Sequence, residues 1–116
     1  MNAIFNPQGR TIAWIRGTEI FDYYGRNIGF LRNNAVFNLN AQYRGTFTNG
    51  FFRDTSGHSV SFINGATNGP VPPVPEVPPV APVPDIPAIH PIPPIPPIPP
   101  IPSYNWSVIE WNRYIN

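Results

Sequence analysis

The side chains that could do chemistry are few and scattered. His58 and His90 sit in different parts of the chain, one beside a turn and one among prolines. A metal centre needs three or four converging ligands, and no spacing of His, Asp and Glu supplies them. Asp22 and Asp54 recur at equivalent places, but Asn6 and Asn38 fill the same place elsewhere. Such interchange indicates a hydrogen-bond acceptor for a turn, with no demand for a carboxylate that moves protons. Ser56, Ser59 and Ser61 have no base nearby in sequence. Cysteine is absent, which removes disulfides, thiolate nucleophiles and thiolate metal sites. No glycine-rich loop opens a helix to cradle phosphate. The inventory therefore points away from an enzyme, with no catalytic, cofactor-binding or metal residues and no cofactor.

Charge adds little. Arg10 and Arg26 repeat, as do Arg16 and Arg32, and read as solvated turn residues with Glu19 and Asp22 as surface partners. Charged residues make up only 11% of the chain and the net charge is +1, so neither nucleic acid nor an anionic membrane is an expected partner. No apolar run reaches the ~18 residues of a membrane span, and membrane insertion is not expected. The first residues lack the apolar core of a signal peptide. Localisation stays unknown: cytoplasm, or export without a classical signal.

Repetition organises the chain. Residues 4–67 divide without gaps into four blocks of 16. Their first column is Ile4, Ile20, Val36 and Phe52. Asn6, Asp22, Asn38 and Asp54 follow two places on, each with Gly9, Gly25, Ala41 or Gly57 three residues later. Asx at the start of a four-residue stretch and Gly at its end mark a type I turn. Each block closes on a second turn signal: Arg16-Gly17, Asn33-Asn34, Asn49-Gly50 or Asn64-Gly65. Two turns per 16 residues leave two short strands, so residues 1–69 read as four tandem β-hairpins, an eight-stranded meander with pseudo-four-fold character and mainly β structure. Asn6, Gly9, Asp22, Gly25, Asn38, Asp54 and Gly57 are the expected turn formers.

Alternation puts Ile12/Trp14, Ile28/Phe30 and Val60/Phe62 on one face. A small column (Ala13, Gly29, Gly45, Ser61) lies on the other with Ile15, Leu31, Phe47 and Ile63. Both faces are apolar, and 64 residues cannot cover both with themselves. Something else must lie on one of them. The third block, with Arg44 and Thr46 where its sisters are apolar, is expected to leave its outer face solvated.

Residues 70–102 carry the strongest pattern. Val71, Val74, Val77, Val80, Val83, Ile86, Ile89, Ile92, Ile95, Ile98 and Ile101 recur at every third position, and nearly every position between is proline. Proline fixes φ and pushes its predecessor into extended geometry, so the backbone is polyproline II. At three residues per turn, all eleven branched side chains fall in a single stripe, and at ~3.1 Å rise the span from Val71 to Ile101 measures about 93 Å. Leaving the stripe in water forgoes on the order of 20 kcal/mol of burial. It is therefore expected to pack, either on the hairpins or between chains, and its length beyond a compact head favours chains lying side by side. Glycine is missing from the third position, which excludes a collagen helix.

Residues 103–116 read as a short amphipathic α-helix. Ser107-Val108-Ile109-Glu110 has the form of a capping box, and Trp106 and Trp111 that of a hydrophobic staple. Trp106, Val108, Trp111, Tyr114 and Ile115 are the expected docking residues, on the hairpins or a neighbouring subunit.

The 16-residue blocks of the type IFDYYGRNIGFLRNN, the Asn64–Pro70 exit, the run of aliphatic-Pro-Pro units and the tail SYNWSVIEW together resemble the bacterial four-fold β-flower domain family. The resemblance spans essentially the whole chain and implies four hairpins arranged as petals about a pseudo-four-fold axis. It implies no activity. From the residues, the expected function is a structural, self-assembling interaction module, with the chain itself as partner in a homo-oligomer. A second reading makes the proline run bait for another protein, although it carries no Arg or Lys beside its PxxP units and Pro102-Ser103-Tyr104 falls short of Pro-Pro-x-Tyr. A third makes Tyr23, Tyr24, Phe30 and Trp14 a small-ligand or glycan site.

Overall fold

The computed structural model describes all 116 residues. Eight strands form a closed antiparallel barrel in chain order: β1 (Asn2–Phe5), β2 (Thr11–Arg16), β3 (Glu19–Asp22), β4 (Asn27–Arg32), β5 (Ala35–Asn38), β6 (Tyr43–Thr48), β7 (Phe51–Arg53) and β8 (Ser59–Phe62). One helix, α1 (Trp111–Ile115), follows. The meander expected from the repeat thus closes on itself through Phe5 opposite Phe62. Closure removes the free edges that an open sheet of this size would expose.

Local chemistry sets the turns. Within each block the Asx oxygen Oδ1 accepts from the backbone N–H groups two and four residues on, as Asn6 does from Gln8 and Arg10 at 3.0 Å. Asp22, Asn38 and Asp54 do the same. Between blocks, Asn33-Asn34 and Asn49-Gly50 take positive φ at both positions, as two-residue hairpin loops require. After β2 the loop is Gly17-Thr18, one residue later than the Arg16-Gly17 signal suggested, because Arg16 pairs with Glu19.

Inside the barrel, large is set opposite small. Ile4 pairs with Ala13, Ile20 with Gly29, Val36 with Gly45, and Phe52 with Ser61. An eight-stranded barrel has room for little more than side chains. The small column frees the rest for α1, whose Trp111, Tyr114 and Ile115 join that core. Ile115 lies against Gly29, and the Tyr114 hydroxyl lies beside Gly45 and donates to the Arg53 carbonyl at 2.8 Å. Burial pushes the Tyr114 hydroxyl well above its ordinary pKa, so it remains a donor.

The tail differs from the sequence reading in four respects. The helix has five residues, beginning at Trp111, and Glu110 makes no side-chain cap. The Ser107 hydroxyl instead donates to Asp54 and accepts from the Ile109 N–H, so the capping box does not form. Trp106 and Trp111 lie in separate clusters, Trp106 against Phe51 and Phe62 and Trp111 against Phe52, and make no staple. Val108 is 98% exposed and docks on nothing. The third block also departs from expectation. Arg44 is half-buried and donates to the carbonyls of Arg113 and Tyr114, holding the C-terminal end of α1, where its sisters contribute apolar contacts.

Two expected outcomes follow. Gly45 has φ +149, and a Cβ there would fall on the Arg53 carbonyl oxygen. Gly45→Ala should therefore lower stability by more than ~3 kcal/mol, read by thermal denaturation followed by circular dichroism. Asp22 is partly desolvated, which raises its pKa. The Arg26 and Tyr24 N–H groups and the Arg26 guanidinium at 2.7 Å outweigh that and hold the carboxyl below its usual range. Its stabilisation is complete above the unfolded value and is lost as pH falls through the folded one. Asp22→Asn, which copies Asn6 and Asn38, should leave neutral-pH stability within ~0.5 kcal/mol and flatten the acid limb of a urea-unfolding series.

Candidate interaction surface

The outer face of the barrel is aromatic. Phe5, Phe21 and Phe37 occupy one column, and Trp14, Phe30 and Phe62 another; all are at most 2% exposed. The cover is the proline segment, which encircles the barrel as a belt. The molecule is a disc of 36 × 35 × 21 Å. This overturns the inference from length: a rod of about 93 Å needs no neighbouring chain when it can bend around its own head.

The belt is fastened at regular intervals. Glu76 N–H donates to the Gly9 carbonyl at 2.8 Å, Asp85 N–H to Gly25 at 2.8 Å, and Ser103 N–H to Gly57 at 3.1 Å. These donors fall on a nine-residue spacing whose missing member is Pro94. Nine residues of polyproline II advance about 28 Å, close to a quarter of the perimeter of a disc 36 Å across. Three turns of belt thus match one 16-residue hairpin. The turn glycines permit the approach: a Cβ on Gly25 would stand 2.7 Å from the Val83 carbonyl oxygen. Over the third hairpin both halves of the fastening are gone. Pro94 has no N–H, and the turn carries Ala41 in place of glycine.

Side chains complete the attachment. Glu76 Oε2 accepts from the Thr11 N–H at 3.1 Å, and Asn27 Oδ1 from the Ala88 N–H at 3.2 Å. His90 stacks on Phe30 with centroids 4.2 Å apart, and its Nε2 lies 2.6 Å from Glu19 Oε1. His58, which the sequence places beside a turn, is half-buried, with Nδ1 2.6 Å from the Ser103 hydroxyl. The loop side chains at residues 58 and 90 therefore serve attachment, and no group of His, Asp and Glu is arranged to hold a metal ion.

Arg53 is the buckle. Its guanidinium is 99% buried and donates to Gly57 O and Ser103 O at 2.9 Å and to Asn68 O at 2.7 Å. Asn68 precedes the belt and Ser103 ends it, so one side chain ties the two ends together. Burial lowers the Arg53 pKa, and the flat face lies over Phe51 at 5.3 Å. Sequence reasoning missed both Arg53 and His90. The signal for Arg53 was present: it stands in the column of Phe5, Phe21 and Phe37.

The stripe faces outward. Val71, Val74, Val77, Val80, Val83, Ile86, Ile89, Ile92, Ile95, Ile98 and Ile101 are each at least 90% exposed. Packing of the stripe on the chain's own hairpins is thereby excluded. The reason is geometric: a three-sided rod lying on a surface presents its proline edges to the barrel and must point its third edge away. Of the residues considered for a ligand site, Trp14 and Phe30 are buried in the aromatic layer, while Tyr23 and Tyr24 are exposed.

The fold and surface define a four-petalled β-hairpin repeat protein bound by its own polyproline belt. A family model described as 4-fold beta flower protein matches residues 2–115, and the chain belongs to that family. No curated protein and no solved structure is detectably similar to it.

Arg53→Met should leave the Ser103 and Asn68 carbonyls without their donor, at ~1–3 kcal/mol each, while Gly57 keeps the Ser103 N–H, and should lower unfolding free energy by about 2–5 kcal/mol in urea. Arg53→Lys should not restore it, since an ammonium cannot reproduce the fork.

Proposed function

We propose that the protein is a non-enzymatic structural module that assembles with copies of itself through the outward edge of its belt. The observation that carries this reading is the unbroken exposure of the eleven-residue aliphatic stripe. At ~25 cal/mol/Å² and ~1.5–3 kcal/mol per side chain, each offers about 60–120 Å² of apolar surface, so the ring presents on the order of 1,000 Å². Spread around the circumference of the disc, that area is offered to several neighbours at once, each arc presenting a share comparable to the ~300–600 Å² of the largest apolar patch on a typical monomer. Membership of a four-fold β-flower family, a small domain type without catalytic features, supports a structural role.

Sedimentation velocity of the full chain over a concentration series tests it. Assembly that strengthens with concentration is expected. Val77→Ser, Val80→Ser, Ile92→Ser and Ile95→Ser together should shift the protein to monomer without lowering its thermal midpoint, because these side chains touch nothing in their own chain. A chain that stays monomeric throughout sinks the reading.

A further inference from the structure

Two features of the disc remain unexplained by belt and barrel. One is an open cleft of about 940 Å³ at the end of the barrel that α1 covers only in part. Arg44 holds α1 over the third hairpin, leaving Ile12 and Ile28 of the first two hairpins as part of the cleft lining. Tyr23 and Tyr24 stand at its margin, 40% and 74% exposed, with their rings 5.4 Å apart and nearly perpendicular. The turn does not require them, since hairpin 4 folds the same turn with Thr55 and Ser56. Trp111, 94% buried, also lines the cleft, and its indole N–H makes no hydrogen bond within the chain.

The other feature is the belt arc from Pro91 to Pro102. Before this arc Pro72, Pro73, Pro75, Pro82 and Pro84 are half-buried and Pro78, Pro79 and Pro87 exposed; within it Pro93 alone is half-buried. The arc also contains the position where the fastening is lost. Pro94 cannot donate, and Ala41 carries a methyl where a Cβ on the sister glycines would meet the belt carbonyl at 2.7–3.0 Å. The arc is a preformed, uncharged polyproline II rod, and, as along the rest of the belt, no hydrogen bond within the chain claims its carbonyls.

The two features are complementary. A polyproline II rod is rich in acceptors and poor in donors, and it docks into grooves lined by aromatic rings that place donors against its carbonyls. The cleft is lined by two tyrosines and by Trp111, whose indole N–H is unpaired within the chain. We propose that the cleft of one copy receives the Pro91–Pro102 arc of a second copy. This rests on the self-assembly reading and gives it a geometry: the contact is head-to-tail, joining different patches on the two chains, and so leads to a ring or a filament.

The test uses the full chain and a synthetic peptide of residues 91–102. The peptide should shift the Trp111 indole N–H resonance of ¹⁵N-labelled protein. Tyr23→Thr with Tyr24→Ser, which copies hairpin 4, should weaken peptide binding at least ~tenfold and abolish assembly. Ile95→Glu with Ile98→Glu should abolish assembly while leaving peptide binding intact. Mixed, these two variants should form a one-to-one pair and nothing larger. If the wild type assembles but the tyrosine variant assembles equally and the peptide leaves Trp111 unmoved, the cleft proposal is overturned and assembly through the stripe stands. A wild type monomeric at every concentration overturns both. A Trp111 response to chitotriose and none to the peptide assigns the cleft to a saccharide and overturns the proposal.

Discussion

A small barrel whose outer surface is aromatic cannot stand alone in water, and that constraint shapes everything else in this chain. Eight short strands enclose one core, but Phe5, Phe21, Phe37, Trp14, Phe30 and Phe62 form a second apolar layer outside it. Burying an aromatic side chain is worth several times the energy of a surface contact, so this layer requires a cover. Proline suits a cover that must bend around a ring. Its backbone needs no internal hydrogen bonds, and its restricted φ lowers the entropy lost on ordering. Few N–H groups remain to be satisfied along the belt. Those at Glu76, Asp85 and Ser103 meet a turn carbonyl.

The ends of such a belt are its weak point, and Arg53 shows how the chain secures them. A buried guanidinium with no carboxylate beside it is costly unless its donors are met. Here three backbone carbonyls meet its two terminal amino groups, Ser103 from the end of the circuit, Asn68 from its start and Gly57 from the turn of the fourth hairpin, while Nε stays unpaired. The charge is tolerated because it answers the Ser103 and Asn68 carbonyls, which have no other donor in the chain. His90 performs a smaller version of the same task, stacked on Phe30 and paired with Glu19 halfway round.

Much of this was legible in the sequence, and the rest failed for identifiable reasons. Turn chemistry is local, so Asn6, Asp22, Asn38 and Asp54 disclosed the repeat, and the repeat disclosed the strands. The two-faced strands announced that a cover existed. What hid the cover's identity was treating polyproline II as a straight rod, which made its length an argument for neighbouring chains. The nine-residue recurrence of Glu76, Asp85 and Ser103 among prolines was visible, but its match to a quarter of the perimeter depends on the diameter of a closed barrel. Tail signals misled because Ser107 had a stronger claim on it from Asp54 than from a helix start. Trp111 looked like half of a staple, but the space beside the small column took it inside.

The stripe poses a different kind of question, because the fold does not explain it. The belt's packing uses its proline edges, and any residue compatible with extended backbone would serve on the third edge. Threonine shares the β-branch of valine and favours extended geometry equally, and it would keep a solvated edge soluble. None of the eleven positions carries threonine, serine or a charge. Glu76 and Asp85 show that the segment accepts carboxylates, yet both lie off the stripe, where the backbone N–H of each is tied to a turn. Polar residues are thus placed where the belt needs them and excluded where it faces outward. An edge kept uniformly aliphatic, at no benefit to the chain's own packing, is a surface shaped for contact with something beyond it.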